Sequence, residues 1–268
     1  MSHELSTASL TKLISFLVWN WMYFITVEYA PDRSPEWCSR VLTLIHASFA
    51  IAGGLTQCKW RKLTPWHLTR RLLPCQYMLM VWSWGYFAFD LLWCLIYNES
   101  LVMLCHHTAA LIAITRYMQK QHTGCTFACT LVLLELTNPL LQIRWFLKDE
   151  GYGNTHLYFA VEVTYLVLFL LLRGVLGTYL IFVIFRTDYF DWEGRVLSVI
   201  FYAVSMVFVY DIAGYIRYKY KHEINEFRQF YYATQMPNDG DISNLSPTPS
   251  EILKTTQSCC MSGTSCKM

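Results

Sequence analysis

An adjacent histidine pair, His106-His107, stands near the middle of an apolar run. Imidazole titrates near neutrality and can both accept and donate a proton, which suits it to general base work. Other ionisable residues also lie in apolar surroundings: His46, Asp90, Glu135, Arg144, Glu162, Arg173 and Asp211. If those runs cross a bilayer, a charge at the centre costs roughly 2.5–3.5 kcal/mol and normally faces a bundle interior or a cavity. This set is the main functional clue in the chain.

Helical spacing groups these residues. Ser83, Tyr86, Asp90, Cys94 and Tyr97 recur with a period of about 3.6 and form one polar face. His106 and His107 lie about 100° apart around a helix, so both can border one cavity. Ala109, Ala110 and Ala113 fall on the same side and leave room for a neighbouring helix or a substrate. Glu135, Asn138 and Gln142 form a further stripe. Pro139 predicts a kink there that frees the carbonyl of Glu135. Glu162, Tyr165, Phe169 and Arg173 share another face, with Glu162 and Arg173 about 16 Å apart along the axis and unable to pair.

On this pattern His106, His107, Glu135 and Asp90 are the candidate catalytic residues. Asn138, Arg173, Glu162 and Gln142 are the candidate substrate-binding residues. Structural roles compete for several of them. Asp90, Glu162 and Arg173 also suit interhelical hydrogen bonds, and Glu135 with Asn138 suits a kink. Arg144 and Asp211 lie nearer span ends, and His46 reads as a satisfied core histidine. No metal site is expected, because no other histidine stands three or four residues from the pair and there is no C-x-x-C element.

The elements that must position these groups are read from composition. In 268 residues, 54% are hydrophobic and only 15% charged, against about 25% in average soluble proteins. Mean hydropathy is +0.29 even though the C-terminal end is polar. Net charge is +2, too small to suggest a nucleic-acid partner. A bilayer-crossing helix needs about 20 apolar residues. Seven stretches qualify, near 10–28, 41–58, 76–97, 101–118, 124–147, 157–185 and 196–216. They are too long and continuous for barrel strands. The expected fold class is therefore all-α, a polytopic transmembrane helical bundle of about seven spans, with six as the alternative. Asn98-Glu99-Ser100 alone separate the third and fourth spans, which predicts a tight hairpin.

The N-terminal run reads as a first span or signal anchor rather than a cleaved signal. Orientation is undecided, because Lys and Arg near the span ends number ten on one face and eight on the other. Residues 217–232 suggest an interfacial helix, and residues 235–268 read as a disordered polar tail. Of ten cysteines, seven lie in or beside the spans, where a free thiol acts as a small buried hydrophobe. Cys259, Cys260 and Cys266 are in the tail and suit palmitoylation if the tail is cytosolic. The Asn98 sequon lies against the bilayer, where glycosylation is not expected.

Four stretches carry a family resemblance: EWCSRVLTLIHA (36–47), GYFAFDLLWC (85–94), LCHHTAALIAI (104–114) and ELTNPLLQIRWFLKDEGY (135–152). Together they resemble the TLC-domain family, which includes the translocating-chain-associating membrane protein, the ceramide synthases and the CLN-type lipofuscinosis protein. The likeness covers roughly residues 35–225. It implies an N-terminal extra helix over 1–34, a TLC domain over 35–225 and a tail over 226–268. It implies a six-helix domain around a membrane-embedded cavity that holds the histidine pair. In ceramide synthases that pair serves acyl transfer from acyl-CoA to a sphingoid amine, so His106 or His107 would be the base. Those enzymes carry two Asp residues three apart on the following helix, where this sequence has Glu135 and Asn138, one carboxylate fewer.

Two functions from different classes follow from the resemblance. The first is a membrane protein acting in lipid homeostasis, with membrane lipids as partners and no resident cofactor. The second is a lipid N-acyltransferase with acyl-CoA as co-substrate. A small-molecule transporter is a third, but no internal repeat supports it. The resemblance favours the endoplasmic reticulum, with the plasma membrane as the alternative, and is compatible with a homodimer.

Overall fold

The computed structural model describes residues 2–58, 71–120, 124–188, 190–221 and 225, and every regular element among them is a helix. In chain order these are α1 (Ser2–Tyr29), α2 (Pro35–Gln57), α3 (Pro74–Ile96), α4 (Leu101–Gln119), α5 (Gly124–Glu135), α6 (Asn138–Asp149), α7 (His156–Phe169), a π-helical segment (Leu170–Leu176), α8 (Gly177–Arg186) and α9 (Trp192–Lys219). They make seven segments long and apolar enough to cross a membrane. Helices α5 and α6 count as one span, and α7, the π-helical segment and α8 as another. The seven-span reading of the sequence is the one observed.

Local signals set the helix ends. Helix α2 begins at Pro35, ahead of the apolar run, because Ser34 accepts from the Trp37 amide at 3.1 Å and Pro35 needs no amide partner at the first position. Asn98 turns the α3–α4 hairpin in the left-handed region, at φ 54. Ser100 then caps α4 through the Met103 amide, and Thr155 caps α7 through the Tyr158 amide.

Helix α3 is the centre of the bundle and packs against α1, α2 and α4. Gly85 lets α1 approach, since a Cβ there would collide with Ser15. The contact is fixed by Trp19, fully buried, whose indole donates to the Trp82 carbonyl at 3.1 Å. Helix α1, expected as an added helix, thus shares the core of the domain. Gly54 plays the same part between α2 and α5, where a Cβ would collide with Val132. The fifth span breaks as Pro139 predicts: the chain leaves the helix at Leu136-Thr137 and restarts at Asn138. Residues Met1–Tyr215 form one compact unit. Residues 217–219, the start of the stretch expected as an interfacial helix, are the last residues of α9, and most of the remainder lies outside the described residues, as does the tail.

The close α2–α5 approach brings Cys58 and Cys129 together in a disulfide. These two are therefore not the free apolar thiols expected of cysteines in spans. Cys58 ends α2, and Cys129 lies about 7–8 Å of helix rise inside the start of α5. The bond sits at the membrane face shared by the 58–73 and 120–123 connections. Disulfides persist in oxidising compartments, so this face is expected to look into a lumen or outside the cell. With seven spans, the C-terminus then lies in the cytosol. Antibody should reach a C-terminal tag, and not an N-terminal one, in cells whose plasma membrane alone is permeabilised. The reverse pattern would contradict this orientation.

A buried polar cluster around His107 and Asp90

Helix α3 presents Ser83, Tyr86, Asp90 and Cys94 to the interior, all buried, as their spacing predicts. Tyr97, the last member of that face, is exposed. Helix α4 sets His107 against them, and its Nε2 lies 3.1 Å from Asp90 Oδ2. The approach is close but poorly aligned, and neither ring nitrogen of His107 has a hydrogen-bond partner among the described residues. The Tyr86 hydroxyl lies 3.2 Å from Asp90 Oδ2 and 3.1 Å from Thr43 Oγ1. Its single proton favours the carboxylate, the stronger acceptor. Ala109, Ala110 and Ala113 of α4 are buried, so small side chains are used here for close packing.

A second arm reaches the cluster through α2. His46 is completely buried and stacks on Tyr86, with ring centroids 3.8 Å apart and planes 8° apart. Its Nδ1 stands 3.9 Å from Glu135 Oε2. Glu135 accepts from Asn138 Nδ2 at 2.7 Å, across the break in the fifth span. His46 lies in the core as expected, but it is not satisfied there: neither ring nitrogen has a hydrogen-bond partner among the described residues, and the ring stands between the two acidic arms. Ser39, Thr43 and His46 stand at i, i+4 and i+7 on α2, a short polar stripe that could have marked it.

Arg173 closes the arrangement. It lies in the π-helical segment and donates to the Leu134 carbonyl at 2.5 Å and to Ser205 Oγ at 3.3 Å. The last carbonyls of α5 have no helical partner, and a cation there also meets the negative end of that half-helix. The break therefore presents Leu134, next to the expected Glu135, as the carbonyl taken by a side chain. His106 lies apart from Asp90. It is half-buried, with its ring edge-on to Phe201 and Phe208 of α9 and 5.3 Å from the His107 ring. A groove lined by Ser9, Lys12, Leu13, Phe16, Trp84 and Ala88 runs between α1 and α3, and the histidine pair does not line it.

Two predicted site residues belong to other networks. Glu162 is completely buried, and its Oε1 accepts from Arg144 Nε at 2.9 Å, Tyr158 at 3.0 Å and Tyr215 at 2.6 Å. Arg144 also donates to the Tyr215 hydroxyl at 2.9 Å. Glu162 and Arg173 do not pair, as their spacing requires. Gln142 accepts from Arg40 Nη1 at 3.0 Å, and Arg40 pairs with Glu36 and lies over Trp145. His106, His107, Asp90, Glu135, Asn138 and Arg173 are thus brought together, while Glu162 and Gln142 are not.

The chemistry available at the cluster is proton transfer or metal binding. Asp90 can orient and charge-stabilise His107, the arrangement a general base requires. Among the described residues, one ligand atom each from Asp90, Cys94 and His107 also lies within 4.8 Å of the others.

Outside the spans, Lys120 pairs with Asp191 and Glu193, tying the end of α4 to the start of α9. The hydrogen bond from Lys120 holds the Asp191 carboxyl below its ordinary value. Burial works against the Lys120 charge, but bonds to Asp191 and Glu193 outweigh it and raise that pKa. A lowered carboxyl pKa adds stability above the unfolded value, about 4, and loses it as pH falls through the folded value. The pair is largely exposed, so its effect is small. Melting curves of wild type and Lys120→Met are expected to differ slightly at pH 7, and the difference to shrink as pH falls below about 4.

This combination defines a multi-pass helical membrane protein with an ionisable cluster held inside the bundle. A family model described as the TLC domain matches residues 36–220, and the chain belongs to that family. One relative, the TLC domain-containing protein 4 A of Dictyostelium discoideum, is 23% identical over 189 residues, covering 66% of this chain and 70% of its own length. No solved structure matches.

Proposed function

We propose that the protein acts in membrane lipid homeostasis, through the cluster of His107, Asp90, His106, Glu135 and Arg173. The observation that carries this reading is the placement of His107 against Asp90 within a membrane-spanning bundle. The cost of such groups in lipid favours a functional role for them, and lipid is the medium around them. Asn138 holds Glu135, and Arg173 brings a cation to the break in the fifth span through the Leu134 carbonyl. Membrane lipids are the partners this reading requires, and the endoplasmic reticulum is the compartment it favours. The test compares the lipid composition of cells lacking the protein with that of cells in which it is restored. Identical compositions would remove this reading.

A second reading, acyl transfer from acyl-CoA to a lipid amine, is favoured by the same His–Asp contact. A histidine nitrogen would take the amine proton as nitrogen attacks the thioester carbonyl. The new N–C bond replaces the C–S bond, and the CoA thiolate leaves and is protonated. Purified protein supplied with acyl-CoA and a sphingoid amine is expected to form amide, with a loss of about 10²–10⁴-fold in His107→Ala if the base role is correct. Amide formation unaffected by both His106→Ala and His107→Ala would exclude it.

A further inference from the structure

We infer that Asp90, Cys94 and His107 form a site for a divalent transition-metal ion, with zinc the best match. Asp90 and Cys94 stand four residues apart on α3, so both side chains project from the same face of one helix. His107 comes from α4 across the hairpin interface, and the three ligand atoms converge within 4.8 Å. All three residues are well buried, with exposures of 9%, 2% and 4% in that order.

Three observations point to an ion rather than to packing alone. The first is geometric. His107 Nε2 and Asp90 Oδ2 are 3.1 Å apart, yet the nitrogen makes no directed hydrogen bond. A shared proton needs the N–H aimed along that line, whereas a shared ion needs only that the lone pairs converge. Tetrahedral zinc with ordinary bond lengths sets its ligand atoms about 3.3–3.6 Å apart. The His–Asp separation is already close to that, and the Cys94 sulfur, within 4.8 Å of both, would draw in on binding the ion. The second is charge. One carboxylate, one thiolate and one neutral imidazole carry two negative charges, so a divalent ion leaves the site neutral, which suits burial in a bilayer. The third is ligand type. A thiolate with an imidazole selects zinc over magnesium or calcium, which take oxygen ligands. Tyr86, whose hydroxyl reaches Asp90 Oδ2, would hold that ligand in place.

Three protein ligands leave a fourth position for water or a substrate oxygen, the arrangement of catalytic rather than structural zinc. The inference goes beyond the lipid reading, because metal content is measured with no lipid substrate present. With an ion on His107 Nε2, proton transfer would fall to His106 or to the bound water.

The test is the metal content of the full-length protein purified in detergent without chelator. Wild type is expected to hold about one zinc per chain, and Cys94→Ser and His107→Ala much less, with Cys38→Ser unchanged as a control thiol. Wild type with no more zinc than Cys94→Ser would overturn the inference. If the variants fail to fold, cobalt added to metal-free wild type decides. A thiolate-to-cobalt charge-transfer band supports the site, and its absence overturns it. Zinc bound by wild type, with identical lipid compositions in cells lacking the protein and in cells restored with it, would overturn the lipid reading and leave the metal site standing.

Discussion

Replacing Arg144 by alanine is expected to destabilise the protein by about 3–5 kcal/mol, the usual cost of stranding one partner of a buried ion pair. Glu162 is completely buried, and its Oε1 takes the Arg144 guanidinium at 2.9 Å. The hydroxyls of Tyr158 and Tyr215 also reach that oxygen, but neither brings a positive charge. In detergent the melting temperature should fall on the order of 10 °C, from the usual 2–4 °C per kcal/mol at this size. Glu162→Gln in the same chain should restore part of the loss, because it removes the stranded charge and keeps the size of the side chain. A melting temperature unchanged in Arg144→Ala, or a double variant worse than the sum of the two, would contradict the role given to this pair. The same experiment separates Glu162 from the functional cluster. Once stability is restored, the lipid effect should return with it.

The second large effect is expected at the cluster itself. His107→Ala and Asp90→Asn should each abolish the lipid effect in protein that still reaches the membrane. Their double variant should be no worse than either alone, since residues acting as a unit are not additive. Asp90→Asn keeps the shape of the side chain and its contact with Tyr86, so a loss there reports charge rather than packing. Glu162 offers the contrasting case of a carboxylate whose removal should act through stability alone.

The sequence was most legible where physics is local. Apolar length is enough to find seven spans, because lipid forces the backbone to satisfy itself within each helix. The polar face of α3 was legible because one helix carries all of it at a regular period. The break before α6 was legible because proline lacks the amide. Partners on different helices were not. Arg144 and Glu162 meet across two spans, and nothing in their spacing links them. Cys58 and Cys129 are 71 residues apart and read separately as apolar thiols. Arg173 serves the Leu134 carbonyl, one residue from the carbonyl that the proline marks, and comes from another span. His46 shares its helix face with Ser39 and Thr43, but its partners Tyr86 and Glu135 come from other helices. Cys94 was placed on the right face, but its third companion comes from the next helix.

The central claim is that His107 and Asp90 give this TLC-domain protein its effect on membrane lipids. The most direct measurement is quantitative lipidomics of cells lacking the protein, restored with wild type, His107→Ala or Asp90→Asn at matched membrane levels. The account predicts that wild type returns the lipid composition and that both variants leave it as in the deleted cells. Full restoration by His107→Ala would contradict it.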